Sequence, residues 1–162
     1  MKGSQRKKIV VVGPGNSIFV KAFCKNVLDS ESDITLISDI VEDKRDLFDE
    51  KISVIELDDI CGYDKSYQEK GDRIAECYID EKGEPDTCII QYGTIHTFHK
   101  IWKTAKRRIL VFWGSDFYML PKNRKKLMRR FCFEATKLVF VVPGLERAFF
   151  KEFSPVFKYK TR

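Results

Sequence analysis

The sequence predicts an α/β fold, a mainly parallel sheet of about six strands held between helices as a three-layer sandwich. Two observations carry that expectation: apolar, β-branched runs too short for helices, and segments of helical period between them. A chain of 162 residues with 43% apolar and 33% charged residues can bury one proper core, which excludes wholesale disorder.

The first run, Ile9 to Val12, is apolar on both faces and closes on Gly13-Pro14-Gly15, as a strand buried on both sides does. From Ser17 to Leu28, apolar residues at Ile18, Val20, Ala22, Phe23, Val27 and Leu28 predict a helix, with Asn16 or Ser17 as N-cap. Ile34 to Ile37 predicts a second strand, Asp43 to Glu50 a short helix, and Ile52 to Leu57 a third strand. A longer helix is expected from Lys65 to Ile79, and Gly83-Glu84-Pro85 leads from it into a fourth strand, Thr87 to Gln91. Ile95 to Ala105 predicts a helix and Ile109 to Trp113 a fifth strand. Pro121 opens a basic helix, Lys122 to Phe133, with Leu127, Met128 and Phe131 turned inward. Leu138 to Val142 is the sixth strand and Leu145 to Phe153 the last helix. Strands alternating with helices give βαβ units, so residues 1–154 are expected to form one Rossmann-like domain. Residues 155–162 read as a tail or linker leaving it.

Charge is unevenly spread. Glu31 to Asp86 carries 19 acids against 7 bases, whereas Lys100 to Arg130 carries 11 bases against Asp116 alone. Such polarity points to an anionic partner: a phosphate, a membrane surface or a nucleic acid. Without a recognised nucleic-acid motif, nucleic acid is the weakest of these. The five cysteines stand at irregular spacing with no C-x-x-C pair, which predicts reduced, mostly buried thiols and no metal site. The apolar run behind the basic start is too short for a signal peptide or a membrane span. The expected location is therefore cytoplasmic, with peripheral attachment at the inner face of the membrane as a further expectation.

In open α/β sheets ligands bind outside the carboxyl ends of the strands. Gly13-Pro14-Gly15-Asn16-Ser17 follows the first strand and suits an anion, because a glycine loop feeding a helix presents free N–H groups. As a dinucleotide fingerprint it is incomplete, since Ile18 stands where a third glycine belongs; as a Walker loop it fails. A tight turn with no ligand explains it equally well. After the fourth strand, Gln91-Tyr92-Gly93-Thr94 leads to His96, placed either to meet a phosphate or sugar hydroxyl or to be a helix-end residue satisfied by backbone, and to His99, read as structural. The fifth strand runs into Trp113-Gly114-Ser115-Asp116-Phe117-Tyr118. There a carboxylate at a strand mouth can accept hydroxyls or take a proton, and Trp113 and Tyr118 offer flat faces to a sugar ring. A capping role for Asp116 with core aromatics is the other reading.

The string ILVFWGSDFY, with PDTCIIQYGTIH before it and KKIVVVGPGNSIFVKAF at the start, resembles the N-terminal domain of GT-B glycosyltransferases. The similarity is to bacterial enzymes of surface-polysaccharide and lipid-linked glycan assembly, and it spans essentially the whole chain. It implies an acceptor-binding half in which Gly13, Gly15 and Asn16 line the cleft floor. His96 and Asp116 would contact acceptor hydroxyls beside Trp113, Gly114 and Ser115, with Asp116 as catalytic base if the reaction inverts configuration. The implied partners are a saccharide or lipid-linked acceptor and a nucleotide sugar; no cofactor is implied. The family's donor-binding domain has no counterpart in these residues, so a missing C-terminal domain or a partner subunit is expected to supply it. The cationic helix, through Lys122, Arg124, Lys125, Lys126, Arg129 and Arg130, would lie on anionic headgroups. The alternatives are a nucleotide- or dinucleotide-binding module built on the glycine loop, and a non-catalytic basic docking domain.

Overall fold

A computed structural model describes residues 6–14, 17–27, 31–38, 52–56, 66–91 and 98–161. In chain order these form β1 (Lys7–Val12), α1 (Ile18–Val27), β2 (Ser32–Ser38), β3 (Ile52–Glu56), α2 (Tyr67–Lys82), β4 (Thr87–Gln91) and α3 (His99–Thr104). There follow β5 (Arg107–Phe112), α4 (Ser115–Tyr118), α5 (Lys122–Glu134), β6 (Lys137–Phe140), α6 (Leu145–Glu152) and a 3₁₀ helix, Pro155–Lys160. The strands make one sheet in the order β3-β2-β1-β4-β5-β6, every pairing parallel. The helix expected over 43–50 lies outside the described residues.

Parallel strands need crossovers, and crossover helices cover both faces; each strand must therefore be apolar on both. In β1 the side chains of Val10 and Val12 enter one cluster, with Ile74, Tyr78 and Trp102, while Val11 enters another with Val20, Ile34 and Ile89. Alternation along a single strand thus feeds two cores. The larger core holds the phenylalanines of the second half of the chain except Phe133, which is half-exposed. Phe149 sits at its centre, with ring centroids 5.2 Å from Phe112, 5.0 Å from Phe140 and 4.7 Å from Phe153.

Local chemistry trims the predicted boundaries. Helix α2 starts at Tyr67 because Ser66 and Glu69 form a reciprocal capping box: Ser66 Oγ accepts from Glu69 N–H, and the Glu69 carboxylate accepts from Ser66 N–H. It runs past Ile79 to Lys82, where Gly83 takes φ 75° and its N–H donates to Ile79 O. In α5 the inward stripe is Met128, Phe131 and Cys132, all at 3% exposure or less, whereas Leu127 is 38% exposed. The expectation that Leu127 turns inward is corrected: it lies one residue off the i, i+3, i+4 stripe.

The expected departure of the chain at Pro155 is also corrected. Pro155–Lys160 folds back as a 3₁₀ helix, with the Phe157 ring fully buried 6.0 Å from Phe149. The Lys160 ammonium donates to Phe133 O and Ala135 O, each at 2.6 Å, at the carbonyl end of α5. A cation there satisfies orphan carbonyls and meets the negative end of the helix dipole. Truncating Phe157 to Ala should therefore cost about 3–5 kcal/mol, the range for a buried phenylalanine, in urea unfolding. A midpoint unchanged from wild type would show that this segment is not part of the core.

Candidate functional site

Helix α1 leaves β1 on the face of Val11 and Val20, whereas α3 follows β4 on the opposite face with Ile101 and Trp102. Strand order therefore reverses between β1 and β4, and the carboxyl ends of these neighbours flank the crevice where open α/β sheets bind ligands. Gly13 follows β1, Gln91 ends β4, and Trp113 follows β5.

These three residues are mechanically linked. Gly13 N–H donates to Ile37 O at 3.2 Å, holding the turn against β2. A Cβ on Gly13 would lie 3.3 Å from both Gln91 Cβ and a Val20 methyl, closer than side chains normally pack. Gln91 is fully buried, and its Oε1 accepts from Trp113 Nε1 at 3.0 Å. The indole is half-buried against the cluster of Val11, Val20, Ile89 and Val111. Parallel register explains the encounter: Gln91 pairs with Val111, which places Trp113 two residues further along β5's line on the same face.

Beyond Trp113 the backbone turns at Gly114, whose φ of 116° and ψ of −63° suit glycine alone. Gly114 O accepts from Phe117 N–H and Tyr118 N–H, both at 2.9 Å, which closes the one-turn helix α4. Phe117 anchors that turn in the core, 5.5 Å from Phe149, while Tyr118 is 58% exposed. Ser115 is exposed at the start of α4, and Asp116 is the next residue; the Asp116 side chain lies outside the described residues. The turn therefore carries Asp116 at the mouth of β5, beside the switch point. Gly15, Asn16 and His96 lie outside the described residues. Gln91 is the site residue that sequence reasoning passed over. A buried polar strand end was its only signal, and its partner is set by sheet register.

His99 stands away from this rim. Its Nε2 is 3.8 Å from the Glu134 carboxylate, its ring meets Phe131 edge-on at 4.9 Å, and Trp102 Nε1 donates to the same carboxylate at 3.2 Å. Burial, helped by nearby Lys103, pushes its pKa below the ordinary 6.5, against the pull of Glu134. On α5, Lys122, Arg124, Lys126, Arg129 and Arg130 are exposed. Lys125 is engaged instead, 2.7 Å from Glu152 and over the Phe117 ring at 5.1 Å. Arg130 also lies 3.5 Å from Glu134.

An all-parallel sheet in this order, with its crevice at the β1/β4 switch point, defines the Rossmann-like class of α/β proteins. Within that class the chain belongs to the glycosyl transferase 4-like family, whose model matches residues 8–142. No curated protein matches the sequence. Among solved structures, a short-chain dehydrogenase from Leptospira borgpetersenii, with NAD+ bound, is similar at a TM-score of 0.50 and 10% identity. The alignment covers 79% of this chain and 63% of that one, so the chain spans less than two thirds of its length. A short-chain dehydrogenase/reductase from Veillonella parvula follows at 0.47 and 15% identity, covering 83% of this chain and 67% of that one. At such identities the first of these speaks for the fold alone.

The lowered pKa of His99 has a stability consequence. Its proton is bound more tightly in the unfolded chain, so folding loses stability as pH falls through 6.5 toward the folded value. The loss on going from pH 7.5 to 5.5 should be smaller in His99→Gln than in wild type, read as urea midpoints. Equal losses would mean that His99 titrates alike in both states.

Proposed function

We propose that this domain is the acceptor-binding half of a glycosyltransferase that moves a sugar from a nucleotide-sugar donor to a saccharide or lipid-linked acceptor in polysaccharide synthesis. The observation that carries this reading is the placement of Trp113, Gly114, Ser115 and Asp116 at the mouth of β5, joined to the switch point through Gln91. An indole face beside the crevice suits the apolar side of a pyranose, and a carboxylate one turn on can accept acceptor hydroxyls. In this reading Asp116 takes the proton of the attacking hydroxyl if configuration inverts. Gly13, Gly15, Asn16, His96 and Ser115 complete the acceptor side. A further domain or a partner subunit holds the nucleotide sugar. The dinucleotide-binding alternative has less support, because the missing side chain of Gly13 is already accounted for by Gln91 and Val20.

In the full-length enzyme, Asp116→Asn should lower kcat by about 10²–10⁴-fold, the usual range for a lost general base, and leave the urea midpoint in place. Turnover at the wild-type rate would remove Asp116 from the mechanism.

We also propose that the domain works at the inner face of an anionic membrane. The exposed cations of α5 lie just after Tyr118 and Met119, which are 58% and 81% exposed. Basic and apolar side chains so combined suit a headgroup layer, at about 1 kcal/mol per Lys or Arg near the surface. The triple change Lys122→Glu, Lys126→Glu and Arg129→Glu should abolish sedimentation with phosphatidylglycerol vesicles at 0.1 M salt. Retained binding would place the membrane contact elsewhere or nowhere on this domain.

A further inference from the structure

We infer that Gln91 is a positioning residue which sets the Trp113 indole as the ligand-facing wall of the crevice, and that Gly13 lacks a side chain so that Gln91 can stand there. The ligand half of this inference rests on the glycosyltransferase reading above; the mechanical half does not.

The chemistry of position 91 calls for an explanation. It ends the run Thr87–Gln91, where Cys88, Ile89 and Ile90 are buried, and Gln91 itself is fully buried. An amide withdrawn from water is costly unless hydrogen-bonded, and an apolar side chain of the same size would avoid that cost. Core stability alone therefore does not call for glutamine. What the amide does instead is accept the Trp113 N–H at 3.0 Å, across the sheet from β4 to the residue after β5. An indole has one polar atom, so a single bond to it fixes the rotation of the ring about its own plane. The ring is further held by the aliphatic cluster around Val20 and Val111. Both faces of the pair are thus determined: the N–H edge by Gln91, the inner face by the core.

Gly13 closes the chain of contacts. Its absent Cβ would stand 3.3 Å from Gln91 Cβ, an atom that cannot swing away because it is attached directly to a strand backbone. A side chain there requires the end of β4 or the Val20 side chain to give by a few tenths of an ångström, and a shift of β4's end carries the Gln91 amide with it relative to the indole. Gly13 and Trp113 are coupled mechanically through Gln91.

The protein contains a built-in control. Its other tryptophan, Trp102, lies in the core on the opposite face of the sheet and donates to Glu134 at 3.2 Å. The test is ¹⁹F NMR of the full-length protein labelled with 5-fluorotryptophan, the Trp113 signal assigned with Trp113→Phe. In Gln91→Met, which keeps length but replaces the amide oxygen by a thioether that accepts only weakly, the Trp113 resonance should shift and broaden while that of Trp102 stays in place. Gly13→Ala should move the Trp113 signal in the same way. Gln91→Glu, whose carboxyl group offers an acceptor oxygen in either protonation state, should bring it back toward the wild-type position. A Trp113 signal indifferent to Gln91→Met and Gly13→Ala would overturn the inference. Octyl β-D-glucoside below its micellar concentration serves as the ligand probe. In wild type it should perturb Trp113 and spare Trp102, and in Gln91→Met its apparent Kd should rise at least fivefold. A Trp113 that responds to Gln91→Met but not to the glucoside in wild type upholds the mechanical link and overturns the saccharide wall. The Asp116→Asn assay remains a separate measure of the glycosyltransferase reading.

Discussion

Everything in this fold hangs on β1 being buried on both faces between two parallel neighbours. Val10, Val11 and Val12 are at 0–1% exposure, and their alternate side chains seed the two cores. Pairing to β2 on one side and β4 on the other makes the chain leave the sheet in opposite senses at its centre. A crevice must open where it does so, because no crossover helix can cover the point of reversal. Gly13 lies at that point, and the rest of the site is arranged around how closely its neighbours approach it.

The same constraint explains the division of labour between the two faces. The face carrying α1 holds a small aliphatic cluster, and Gly13, Gln91 and Trp113 extend it to the rim. The other face holds the large aromatic cluster in which α5, α6 and the 3₁₀ helix converge. Phe117 joins the two regions functionally: it is rooted among Phe149 and Phe153, and it anchors the short turn that carries Asp116. A turn held by a packed ring loses less freedom on ligand binding than one held by backbone bonds alone. The amino ends of the strands, by contrast, are tied by charge. Lys82 bonds Asp33 at 3.2 Å and Thr35 at 3.2 Å, and Lys106 lies 2.7 Å from Asp86. The Lys106–Asp86 pair joins the acidic stretch of the chain to the basic one, and the outer side of α5 is left as an exposed cationic surface.

The chain's own chemistry determined the α/β class, the identity of nearly every described strand and helix, and the Trp-Gly-Ser-Asp turn as a place of interest. Those features are local: β-branched runs, helical period, a capping box at Ser66, and glycines at Gly83 and Gly114 whose φ of 75° and 116° disfavour other residues. Family membership was legible for the same reason, since it rests on strings of adjacent residues. What local pattern did not reveal was phase and distance. Leu127 and Met128 are both apolar, and only the packing of α5 on the sheet decides that Met128 is the buried one. The segment from Pro155 reads as a departing tail because its polar content hides Phe157 and the carbonyl-capping Lys160. Strand order and register were decided by the tertiary structure alone, and with them the meeting of Gln91, Gly13 and Trp113. Residues 13, 91 and 113 are far apart in sequence, and a contact between them exists only once three parallel strands are aligned.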